Sequence, residues 1–190
     1  MSIKPSRVVI TGLLVLLSAK ASAAELSIEL DPEVLRQMRQ QAETHAAPLL
    51  RNAILRSRQE ALAAGTQPIP PAIRARLQGY YPDALLDSVR WRVGGGSEIS
   101  LQLNVIQYGD RSAITLNEVV VFARAGDVQS NAVLWVHELR HVDQFRRWGV
   151  DGFAARYVHD FRAVEGEAER AEAAYSAWLT SPTRSRAAAP

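Results

Sequence analysis

Cysteine is absent from the 190 residues. That excludes disulfides, thiolate metal ligands and an acylated lipoprotein N-terminus, so any metal must be held by histidine and carboxylate. Lysine is almost absent too: Lys4 and Lys20 are the only two, and every later cation is an arginine. No apolar run reaches the ~20 residues that a bilayer needs. The run from Val8 to Leu17 is about half that length, follows Lys4 and Arg7, and is succeeded by Ala21-Ser22-Ala23. It predicts a secretory signal peptide over residues 1–23, cleaved after Ala23, and hence a periplasmic or secreted protein. Lys20 is the residue that fits this pattern least. Excess positive charge is also missing. Without residues 1–23 the 22 basic side chains fall to 22 − 3 = 19, against 20 acidic ones. Nucleic-acid binding then has no surplus charge to neutralise phosphates.

What is present is a globular composition, 47 % hydrophobic and 22 % charged, which predicts one domain over residues 24–180 and a flexible tail over 181–190. Asp31-Pro32 is a helix-start pair, and Val34, Leu35, Met38, Ala42, Ala46, Leu49, Leu50, Ile54 and Leu55 follow at helical spacing, predicting a helix over about 32–64 that Gly65 ends. After Pro68, Pro70 and Pro71, Ile73 and Leu77 make a short amphipathic turn. Val89 to Val93 alternates as a half-buried strand. Ile99, Leu101, Leu103 and Val105 alternate as another, and Ile114 to Phe122 reads as a third. Gly94 to Gly96 and Gly109-Asp110 supply connections. Neighbouring strands predict a small, mainly antiparallel sheet with helices on one face, an α+β fold. A helix from Val128 to about Trp148 stops at Gly149. A second covers Val150 to Phe161, and a last one Ala163 to about Leu179.

The chemistry concentrates in the first of these three. His137, Glu138 and His141 spell H-E-x-x-H, and i, i+4 spacing stacks both imidazoles on one helix face, suited to a zinc ion. Glu138, beside the first ligand, is placed to take a proton from an activated water. The preceding Ala132 to Val136 is continuously apolar, so polar side chains inside so buried a helix need partners. His45 has no second ligand-type side chain beside it and reads as an ordinary histidine.

The sequence from His137 through Val150, followed by Gly152-Phe153 and Arg156-Tyr157, resembles the small bacterial metallopeptidase domain also labelled a core domain of extracellular contractile injection systems. The resemblance covers roughly Tyr80 to Tyr175 and includes a strand like Ala113 to Phe122 before the zinc helix. More distantly the layout resembles the gluzincins, in which a later helix supplies a glutamate from E-x-x-x-D. Here that segment reads Glu165-Gly166-Glu167-Ala168-Glu169, with glutamate in place of the final aspartate. The resemblance implies a zincin-like minimal metallopeptidase with one zinc ion.

Two histidines leave zinc short of a tetrahedron. Glu165, Glu169 and Glu172 share a stripe at i, i+4 and i+7, while Glu167 points about 200° away at 100° per residue. Spacing and the resemblance together select Glu165 as third ligand, with Glu169 the second choice and His159 the third. Glu169 is otherwise expected to accept the free N–H of a ligating histidine. The expected function is hydrolysis of a peptide or protein substrate by zinc-activated water with Glu138 as general base. The strand ending at Phe122 would hold the substrate by edge pairing, and Tyr157 and His159 are candidate transition-state stabilisers. The alternative is a non-catalytic module in which zinc staples a binding or assembly domain.

Overall fold

A computed structural model describes residues 31–94 and 113–181. The predicted signal peptide, the strand Ile99 to Val105, the glycine connection beyond Gly94, the Gly109-Asp110 turn and the tail past Ser181 lie outside the described residues. The chain divides into two compact units, Met1–Leu35 and Arg36–Pro190. The second holds everything described below except the start of the first helix.

Helix α1 runs Pro32–Ala63. Asp31 opens it as its sequence position predicts, its Oδ1 accepting the Glu33 amide at 2.7 Å. Its buried residues lie in the C-terminal half, Ile54, Ser57 and Ala61 at i, i+3 and i+7. Strand β1 (Gln67–Pro68) follows, then two short helices, α2 (Pro71–Leu77) and α3 (Asp83–Ser88). Prolines at or just before their first turns supply a preset φ and no orphaned N–H.

Among the described residues the sheet has four strands in the order β1-β2-β4-β3, with β2 at Arg90–Val93, β3 at Ala113–Leu116 and β4 at Val119–Phe122. Two features differ from the sequence reading. Ile114 to Phe122 is not one strand but an antiparallel hairpin, turned at Asn117-Glu118, with Asn117 at φ 63°. Asparagine tolerates that left-handed conformation, and no glycine was there to announce it. The sheet is also mixed rather than mainly antiparallel, because β2 runs parallel to β4, Trp91 opposite Val120. Valines 119 to 121 and Phe122 are buried at every position, which is the continuous apolar pattern of a central strand covered on both faces.

Those two faces define two cores. Val120 and Phe122 join Trp91 and Trp135 on one side. Val119 and Val121 meet Ile54 and Ala61 of α1 with Leu116 and Phe145 on the other. The alternation is the two-residue period of a strand. The buried indoles are satisfied, Trp91 donating to the Pro68 carbonyl at 2.8 Å and Trp135 to that of Val128 at 3.0 Å.

Helix α4 (Ala125–Ser130) is separate from the long α5 (Ala132–Leu179). The sequence reading began one helix at Val128. Asn131 divides it, leaving the helix at φ −95°, ψ 77° and capping the next with its side chain on the Leu134 amide at 3.0 Å. Within α5 the backbone departs from helix at Gly149 (φ 68°, ψ 172°) and Asp160 (φ −152°, ψ 82°). The three helical segments are therefore 132–148, 150–159 and 161–179. Asp160 caps the third, accepting the Ala163 amide at 3.0 Å. These two bends fold the third segment back along the first.

Candidate metal centre

Burial of Trp135, Val136 and Leu139 against the sheet fixes the rotation of segment 132–148. His137, Glu138 and His141 consequently face inward, with His137 and His141 5 % and 6 % exposed. Glu165 arrives from segment 161–179 and is 8 % exposed. Its Oε2 lies 3.3 Å from His137 Nε2 and 3.5 Å from His141 Nε2, and the two Nε2 atoms are 3.1 Å apart. Donors bound at about 2.0–2.1 Å around a tetrahedral ion are spaced by roughly 3.3 Å. The triangle of donor atoms thus has the dimensions of zinc coordination, and its two imidazoles and one carboxylate suit that ion. Among the described residues these three form the buried group able to hold a metal.

Both imidazoles are held from behind. His137 Nδ1 donates to Glu172 Oε1 at 2.6 Å and His141 Nδ1 to Gln144 Oε1 at 2.8 Å. A carboxylate and an amide oxygen only accept, so each Nδ1 carries the hydrogen and each Nε2 presents its lone pair to the metal position. Gln144 is completely buried. Its Nε2 donates to the Val164 carbonyl at 2.9 Å and to Glu167 at 3.2 Å, tying His141 to the segment that carries Glu165. Burial opposes the charge on Glu167, but Arg147 and Gln144, with Arg140, outweigh it and hold its carboxyl below the ordinary range. The segment is braced once more where Tyr81 donates to the Val136 carbonyl at 3.0 Å. Burial, with neighbouring Tyr80, pushes the Tyr81 hydroxyl far up, so it stays a donor.

The carboxylate behind His137 is Glu172, whereas Glu169 is exposed. The difference is angular. At 100° per residue Glu172 lies about 20° from Glu165 toward the buried side that holds Ala168 and Tyr175, and Glu169 about 40° toward solvent. Glu138 is 2 % exposed, and its Oε2 accepts the Thr115 hydroxyl at 2.7 Å.

A pocket opens beside the triad, lined by Thr115, Ala113 and Ile114 of β3, Leu50 and Ile54 of α1, and Phe153 and Tyr157 of α5. Tyr157 is brought to the site, stacked on Phe153 with ring centres 5.6 Å apart. His159 is not: its side chain is 70 % exposed and pairs with Glu43 at 3.0 Å. The strand at the pocket is likewise β3, an outer strand of the sheet among the described residues, and not the one ending at Phe122, which lies between β2 and β3. Sequence reasoning missed Thr115, Glu172 as partner of His137, and Gln144. The last had a signal, three residues beyond His141 on the same helix face.

No curated protein and no solved structure matches the chain. Residues 68–149 match the family model described as eCIS core domain, a stretch that contains β2, β3 and β4, both histidines and Glu138 but ends before Glu165.

Proposed function

We propose that the protein is a zinc-dependent peptidase on a zincin-like plan, acting as a module of an extracellular contractile injection system. The observation that carries this reading is the donor triangle of His137, His141 and Glu165, with edges of 3.1, 3.3 and 3.5 Å, and Glu138 beside it. The match to the eCIS core domain supports the association with injection machinery. Zinc bound there would supply Lewis-acid chemistry, polarising a carbonyl and acidifying a water.

The chain's own groups do the rest. Thr115 holds Oε2 of Glu138, which orients Oε1 to accept the water's proton and hand it to the leaving amine. Glu138 is 2 % exposed, which limits competition from bulk solvent for its carboxylate. β3 offers backbone groups to an extended peptide, and Tyr157 offers a hydroxyl to the developing oxyanion. The reading of zinc as a mere staple predicts a closed site of four protein ligands. Among the described residues there are three donors with an adjoining pocket, which favours the catalytic reading instead.

The test is incubation of the purified chain with unfolded polypeptides, with and without chelator, beside Glu138→Ala protein. Zinc-dependent cleavage lost in Glu138→Ala is the expected result. Cleavage indifferent to chelator, or identical in both proteins, overturns the proposal.

A further inference from the structure

The pocket has walls that metal binding does not require. Leu50 and Ile54, at i and i+4 on α1, face Ile114 on β3 and Phe153 and Tyr157 on α5, so the space next to the donor triangle is bounded mainly by carbon. Apart from Ile114, these walls come from two stretches outside residues 68–149, the part that matches the eCIS core domain. Their chemistry therefore belongs to this chain and not to the matched segment.

The α1 wall is also held in place. Arg58 makes a forked contact to Glu118, its Nε 3.0 and 2.9 Å from the two carboxylate oxygens. Arg51 reaches Asp151 at 2.8 Å and Glu43 reaches His159 at 3.0 Å. The pairs flank Leu50 and Ile54 on both sides along the helix, tethering it to β4's turn and to segment 150–159. A wall fixed in this way discriminates among side chains, where a mobile one adapts to them.

Resting on the peptidase reading, we infer that the pocket is a specificity subsite for one bulky aliphatic or aromatic side chain next to the scissile bond, with Leu50 and Ile54 as its specificity-determining residues. An apolar pocket separates substrates by the methylenes it buries, about 10- to 200-fold for a difference of one or a few. A carboxylate placed there finds no partner on the α1 side.

The experiment uses the full chain with added zinc and a set of quenched fluorescent peptides identical except at one position, scanned on either side of the bond. Peptides with Leu or Phe at that position should be cut with kcat/KM at least about 10-fold above Ala and further above Asp. In Leu50→Arg protein, with unchanged circular dichroism and zinc content, the preference should shift toward Asp. Cleavage without preference, or an unaltered preference in Leu50→Arg, overturns the inference. A second arm needs no turnover: the metal-free chain is titrated with acetyl-Gly-Leu-Gly-amide or acetyl-Gly-Asp-Gly-amide while the Leu50 and Ile54 methyl resonances are followed. Saturable shifts with the leucine peptide alone are expected, and their absence overturns the subsite. Binding without cleavage of any peptide leaves the subsite standing and removes the peptidase reading.

Discussion

Replacing Glu172 by alanine removes the acceptor 2.6 Å from His137 Nδ1. The imidazole then loses the group that fixes its tautomer and ring orientation, so Nε2 is no longer held toward the metal position. Partners of this kind are worth about 10- to 100-fold in metal affinity, or roughly 1.4–2.8 kcal/mol. Glu172's side chain is 35 % exposed, so water takes over part of the lost hydrogen bond and the lower part of that range applies, about 10- to 30-fold. The assay is competition for zinc between the full chain and a chromophoric chelator, with nitrogen NMR of His137 reporting the tautomer. Glu169→Ala is the control, because its side chain lies on the solvent side, and its affinity should stay within about twofold of the parent on the same argument. If Glu169→Ala weakened zinc as much as Glu172→Ala, or if Glu172→Ala left affinity and tautomer unchanged, the assignment of the two carboxylates would be refuted.

Glu165→Gln should lower zinc affinity far more than Glu167→Gln, whose carboxylate meets Arg140, Arg147 and Gln144 behind the ligands; the same competition assay checks the order. Burial disfavours the charge on Glu118, but hydrogen bonds from Arg58 and Asn117 hold its carboxyl below the ordinary 4.5. Its contribution to stability is therefore present above that pH and lost as pH falls through the folded value. Denaturant melts should show Glu118→Gln about 1–2 kcal/mol less stable at neutral pH, with the gap closing on acidification below about 4.5. Gly149→Ala forces an L residue to φ 68°, ψ 172° and should cost about 1–3 kcal/mol, read as a fall in thermal midpoint of several degrees, although a Cβ there meets no atom within 4 Å.

The start of α1, the break at Gly149 and the two histidines were legible because their signals are local. Asp31-Pro32 and Gly149 act through their own φ, ψ and side chains, and His137 and His141 need only one helix turn to meet. The parallel pairing of β2 with β4 was not legible, since a run such as Val119 to Phe122 suits a buried strand of either direction and the choice is made by what flanks it. Glu172 over Glu169 was half legible: the stripe was visible, but the centre of the buried face depends on where Ala168 and Tyr175 pack. The wall formed by Leu50 and Ile54 was invisible, because their spacing says that they are buried and nothing about what they are buried against.

The bends at Gly149 and Asp160 give the donor group an unusual economy of chain. All three metal-facing atoms belong to α5, and 23 residues separate His141 from Glu165. Since loop-closure entropy rises only logarithmically with length, about 0.6 kcal/mol per doubling, a loop this short is among the cheaper contacts to make early. The centre closes over a stretch of chain similar to the one that brings β2 beside β4, where Arg90 pairs with Val119. A divalent ion captured during refolding would act as a staple across the hairpin of helices while the sheet is still assembling. The metal would then hasten folding, beyond stabilising its product.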